Sequence, residues 1–177
     1  MNSRRYSRVC LLPLAGLALM LSACGYHVAG QGSLLPKDAH TIAVVPWGNA
    51  SVHFTLANYL AASVSHEMIS RTRYRLVQDP SKADLVLYGS VANMTGGGTL
   101  YDNTTGRTTG GQITVWIQYK LIDRAGKVLV NIPNMEFHQP YEISVNPTQY
   151  FDESEAAMRR LSTDVAKSVV SSILEQF

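Results

Sequence analysis

Apolar and polar positions follow three different rhythms along this 177-residue chain, and each rhythm predicts a different kind of element. Thr41-Ile42-Ala43-Val44-Val45-Pro46 is a compact β-branched run closed by proline, which predicts a buried strand that stops at Pro46. From Phe54 to about Arg71 the residues Ala57, Leu60, Ala61, Val64 and Met68 recur at helical spacing, so this stretch reads as an amphipathic helix. Tyr74 to Val77 is a short strand candidate, and Asp79-Pro80-Ser81-Lys82 supplies turn chemistry before the apolar run Leu85 to Val91. Ile113, Val115, Ile117, Tyr119 and Leu121 then alternate with Thr114, Trp116, Gln118 and Lys120, the signature of a strand with one covered and one open face.

Two stretches carry weaker signals. Asn93 to Gly111 holds six threonines and the glycines 96, 97, 98, 106, 110 and 111, so it is expected to project as a mobile loop rather than pack a core. Asp123 to Lys127 predicts a hairpin turn into Val128-Leu129-Val130, a strand expected to break at Pro133 and to resume through Phe137 and Tyr141 toward Val145. From Asp152 the pattern is helical again. Asp152 with Glu155 resembles a capping box, and Leu161, Val165, Val169, Ile173 and Phe177 form an apolar edge widened by Ala166, Val170 and Leu174. Together these elements predict an α+β two-layer sandwich, with two helices on one face of a largely antiparallel four-stranded sheet.

The N-terminus follows another logic. Arg4, Arg5 and Arg8 precede the apolar stretch Val9 to Leu21, which is shorter than the about 20 residues a bilayer span needs, and Leu21-Ser22-Ala23-Cys24 follows at once. This is the layout of a lipoprotein signal peptide over residues 1–23, with Cys24 as the lipid-modified first residue of the mature protein. Residues 24–40, rich in Gly, Ser and Pro, read as a tether, and residues 41–177 as one domain.

Removing the signal changes the charge. The full chain is formally +2, but residues 24–177 hold 12 basic and 13 acidic residues, so no general electrostatic attraction to nucleic acid exists. Cys10 leaves with the signal and Cys24 is acylated, so no thiol remains for a disulfide, a metal or nucleophilic catalysis. The five histidines, at 27, 40, 53, 66 and 138, form no short metal-binding pair, and the chain has no Gly-x-Ser-x-Gly, Walker or His-Glu-x-x-His pattern. Neither a metal, a cofactor nor an enzymatic reaction is expected.

Several segments in fixed order resemble a known family. Cys24-Gly25-Tyr26-His27, Leu35-Pro36, Ile42-Ala43-Val44-Val45-Pro46-Trp47-Gly48-Asn49, Arg71 to Val77, Ala83 to Val91 and the closing Ile173-Leu174 are similar to the lipopolysaccharide-assembly lipoproteins of the LptE type. The resemblance implies a non-enzymatic lipoprotein on the inner leaflet of the outer membrane, plugging the large β-barrel LptD and passing lipopolysaccharide to the cell surface. Gly25, where an aspartate would signal inner-membrane retention, agrees with that sorting. It also implies direct lipopolysaccharide binding, for which the phosphates call for cations. Arg107 is the foremost candidate, with Lys120, Arg124 and Lys127 on the adjoining hairpin and Trp116 as an apolar neighbour. One departure is that Asn146 to Phe151 contains no Lys or Arg. An alternative remains open, an envelope lipoprotein regulator or secretion-pore subunit, because such proteins share the Ile-Ala-Val-x-Pro-x-x-Asn strand and bind a protein partner but no lipid.

Overall fold

The computed structural model describes residues 35–36, 38–51, 54–144 and 153–175. Cys24, the signal segment, Asn146 to Phe151 and the Asp152 side of the expected capping box lie outside them. The chain runs β1 (Thr41–Val44), β2 (Gly48–Asn49), α1 (Phe54–Arg71), β3 (Arg75–Leu76), a 3₁₀ turn at Pro80–Lys82, β4 (Leu85–Tyr101), β5 (Thr108–Asp123), β6 (Val128–Glu142) and α2 (Ser154–Glu175).

The sheet is six-stranded and mixed, not four-stranded and largely antiparallel. Its order is β3-β1-β4-β5-β6, and β2 pairs with β4 farther along. The crossover through α1 returns the chain in the same direction, so β1 lies parallel to both β3 and β4. The remaining pairs, β4 with β5 and β5 with β6, are antiparallel.

One face of this sheet is covered. Leu85, Leu87 and Val91 of β4 and Val115, Ile117, Tyr119 and Leu121 of β5 are buried with Leu56, Leu60, Val64 and Met68 of α1 and Leu161, Val165, Val169 and Ile173 of α2 in one core. The helical stripes therefore face the sheet as their spacing requires. Leu35 and Ala39 join this core, so packing begins upstream of Thr41. The helices are tied at one end by the Tyr59 hydroxyl, which donates to Glu155 at 2.9 Å, with the Arg159 guanidinium 4.4 Å from the Tyr59 ring centre.

Most of the glycine- and threonine-rich stretch is strand, which corrects the expectation of a mobile loop. β4 continues to Tyr101 and β5 begins at Thr108, leaving a turn at 102–107. The Asp102 carboxylate closes that turn by accepting from the Thr104 N–H at 3.0 Å and the Thr105 N–H at 2.6 Å. This segment lacks apolar content, so its order comes from the hydrogen-bond ladder to β5, which β6 supports on its other side. A register shift between Val91 and Asn93 inserts an extra residue, and the buried face moves from odd positions such as Val91 to the even Met94.

The second strand of the next hairpin also differs from expectation, because β6 passes through Pro133 without a break. There the partners step from Ile117–Met135 to Tyr119–Ile132, so Pro133 and Asn134 form a bulge on an edge strand, where a missing N–H costs no ladder bond.

Candidate functional site

With the helices on one face, the opposite face of β5 presents Thr114, Trp116, Gln118 and Lys120 between β4 and β6. Lys120 sits opposite Tyr88, its ammonium 5.3 Å from the centre of that ring, an exposed cation–π contact of about 0.5–1 kcal/mol. Gln118 donates to the Ser90 hydroxyl at 2.9 Å. Where β6 bulges at Pro133, these side chains and Asn131 and Ile132 surround an open concavity of about 270 Å³. No carboxylate pairs with Lys120 among the described residues, so its charge is available to an anion while the Tyr88 ring offers apolar contact.

Farther along the same face, Trp116 is half-buried opposite Asn93 and Glu136. Its distance from Lys120, four residues along one strand, is about 13 Å. His138 Nδ1 lies 3.0 Å from the Thr114 hydroxyl and 3.2 Å from the Gln112 amide, with Nε2 3.4 Å from Glu136.

The predicted cations do not form one cluster. Arg107 sits just before Thr108, at the end of β5 opposite the turn that carries Arg124 and Lys127. Thirteen residues of strand put it roughly 40 Å from Lys120. Arg124 is committed to Asp84, 3.0 Å away, and reaches the Lys82 carbonyl at 3.4 Å. Lys127 is exposed, its backbone N–H donating to Asp123 at 2.9 Å in a turn that Gly126 completes at φ +82°.

Asp84, which sequence reading had not singled out, is the most densely bonded carboxylate described. One oxygen accepts from the His40 N–H at 2.9 Å, the Thr41 N–H at 3.0 Å and the Thr41 hydroxyl at 2.8 Å. Those bonds, first the one from the His40 backbone, with Arg124 adding to them, hold its pKa at about 2. The signal in the sequence was local only: Ala83-Asp84 opens an apolar run, while both sets of partners lie about 40 residues away in either direction.

A sequence model of the LptE family, described as lipopolysaccharide-assembly, matches residues 39–173, from just ahead of β1 to two residues short of the end of α2. The chain belongs to the LptE family. Solved structures share the fold. A lipoprotein of Caulobacter crescentus CB15 superposes with a TM-score of 0.52 at 15% identity, covering 75% of this chain and 87% of that one. Lipoprotein B of Nitrosomonas europaea gives 0.52 at 10% identity, covering 77% and 83%. Rare lipoprotein B of Shewanella oneidensis gives 0.50 at 14% identity, covering 74% and 92%. At such identities the likeness is one of fold. Among curated proteins, none matches the chain.

Membership of the LptE family, a family of non-enzymatic lipoproteins, indicates an outer-membrane lipoprotein with a role in lipopolysaccharide assembly. Among the described residues no cluster of His, Cys, Asp or Glu is arranged to hold a metal ion, and no helix is long and apolar enough to cross a membrane.

Proposed function

We propose that this LptE-family protein, anchored to the outer membrane through Cys24, plugs and helps assemble an LptD-type β-barrel and binds lipopolysaccharide on the open face of its sheet. The observation that carries this reading is the family match across nearly every described element, because it concerns the whole domain rather than one motif. The geometry supports a narrower choice among the cations. Lys120, unopposed and backed by Tyr88 beside a concavity, combines a positive charge with apolar surface, the pairing a phosphorylated glycolipid needs. Trp116 on the same face extends the apolar side. Arg107, at the far hairpin end, belongs to a separate contact, and Arg124 and Lys127 flank the site from the opposite turn.

The test compares lipopolysaccharide binding of wild type and Lys120→Ala, with co-purification of LptD from outer membranes as a second readout. Loss of one partly shielded contact to a phosphate should weaken binding by about 1–1.5 kcal/mol, roughly five- to tenfold in Kd, with barrel recovery unchanged. Unaltered binding overturns the site assignment. Failure of wild type to bring down the barrel overturns the plug role.

A further inference from the structure

The outer edge of β4 changes character after Val91. Up to that point β1 and β2 occupy it, through Leu85 to Leu87 and through Ser90 and Val91, with a last bond from the Ala50 N–H to the Val91 carbonyl at 2.9 Å. From Ala92 to Tyr101 no described strand lies on that side, and every residue but Met94 is exposed. Between the register shifts at Val91/Asn93 and Gly98/Leu100, Asn93 to Gly98 runs as regular strand, and its alternate residues direct their backbone donors and acceptors to this open side.

Register shifts bound this edge at Val91/Asn93 and from Gly98 onward, but the side chains between them do not guard it. Ala92 to Tyr101 contains no charged residue and no proline, the two usual protections against strand pairing. The other long edge, β6, carries Pro133, Pro140, Glu136, His138 and Glu142. The contrast within one sheet marks the β4 edge as left open for pairing.

The glycines add an independent reason. Gly98, Gly110 and Gly111 are explained within the chain, since a Cβ at each would press on Thr108, Leu100 or Tyr141 respectively. Gly96 and Gly97 are not: a Cβ at Gly97 would meet nothing within 4 Å, one at Gly96 only the Gln112 carbonyl at 4.0 Å, and neither has a positive φ. Glycine in a strand interior weakens the strand, and where no internal contact requires it the remaining reason is close approach by another backbone. As neighbours in a strand, the two leave both faces of the sheet flat at this point.

We infer that the free edge of β4 from Ala92 to Tyr101 is a strand-addition site that takes an extended segment of the barrel partner, with Gly96 and Gly97 giving it room on both faces. This rests on the plug reading above. A strand or an extended barrel loop supplies the backbone N–H and C=O groups that the outward-facing residues of this stretch need, without an ionic partner.

The experiment uses the full-length lipoprotein co-expressed with the barrel. Photo-crosslinking residues are placed at Thr95 and Thr99, with Asn134 on the opposite edge as control, and Gly96→Val and Gly97→Val are made separately. The inference expects crosslinks to the barrel from 95 and 99 but not from 134. It also expects both valine variants to melt at or above the wild-type temperature, because valine suits a strand with space around it, while recovering about tenfold less barrel. If wild type recovers no barrel, the plug reading falls and this inference with it. If wild type recovers barrel but the valine variants recover it equally and 95 and 99 stay uncrosslinked, only the inference falls. Crosslinks from 95 and 99 to a second copy, or to the tether of the same chain, would overturn it in favour of that occupant.

Discussion

Replacing Gly89 by Ala tests the core at its tightest point. Gly89 lies in β4 opposite Tyr119, and a Cβ built there falls within 2.6 Å of three atoms of the Trp47 indole. That ring is 6% exposed and belongs to the main core, so it has no solvent to swing into. Its Nε1–H has no acceptor among the described residues, so no hydrogen bond fixes the ring; packing alone does. Ordinary reasoning gives Gly89→Ala the opposite sign, since alanine at a strand position without positive φ stabilises by about 0.4–1 kcal/mol through the unfolded chain. Overpacking against an immobile ring costs about 1–3 kcal/mol and wins. For a domain of this size the melting temperature should fall by roughly 4–12 °C. The assay is thermal unfolding of wild type, Gly89→Ala, Trp47→Leu and the double variant. If the indole is the obstacle, Gly89→Ala should cost markedly less in the Trp47→Leu background, a coupling of about 1 kcal/mol or more. An unchanged or raised melting temperature for Gly89→Ala alone, or an equal loss in both backgrounds, would refute the argument.

Two further outcomes are expected. Asp84 has a folded-state pKa depressed to about 2, so its contribution to stability is present above the ordinary carboxylate range near 3.8 and is lost as pH falls toward about 2; Asp84→Asn should therefore melt lower than wild type at pH 6, with the gap narrowing across pH 4 to 2, whereas a gap independent of pH would show that the charge is not what matters. If Cys24 is the lipidated residue proposed above, Cys24→Ala should accumulate uncleaved or without lipid, while wild type should float with outer-membrane fractions; recovery of wild type with the inner membrane, or still bearing residues 1–23, would contradict the sorting argument.

Sequence and structure agree where burial imposes a period. The stripe Leu60, Val64, Met68 and the edge Leu161, Val165, Val169 were readable because each helix buries one face, and the alternation from Ile113 to Leu121 because β5 is covered on one side only. The extension of β4 and β5 was not readable, since Thr95 to Thr99 bury almost nothing and are held by pairing to distant residues, a tertiary cause that leaves no local mark. Pro133 misled for a related reason: only the position of β6 at the sheet edge makes a proline harmless there. Of the two short strands, β3 falls inside the candidate run Tyr74 to Val77, whereas β2 at Gly48–Asn49 exists because β4 passes alongside and does not stand out in sequence as a strand. For the candidate site, the cations named from sequence are not grouped in space as their sequence order suggested. Closeness in sequence put Arg107 with the next hairpin, whereas a strand carries its two ends far apart; Lys120 gained its partner Tyr88 from 32 residues upstream.

The knot of bonds around Asp84 has a mechanical consequence. The N-terminal leader packs into the core at Leu35 and Ala39, and just downstream His40 and Thr41 are both fastened by their backbone N–H groups to a carboxylate immediately ahead of β4 that Arg124 grips from the next turn. Tension on that leader would pass from this packing to the knot and then along β1, which is bonded on both sides, to β3 and to β4. Such a strand resists in shear, with its bonds sharing the load, instead of peeling open one bond at a time. A pull from the N-terminal side thus meets a doubly bonded strand close to where it enters the fold.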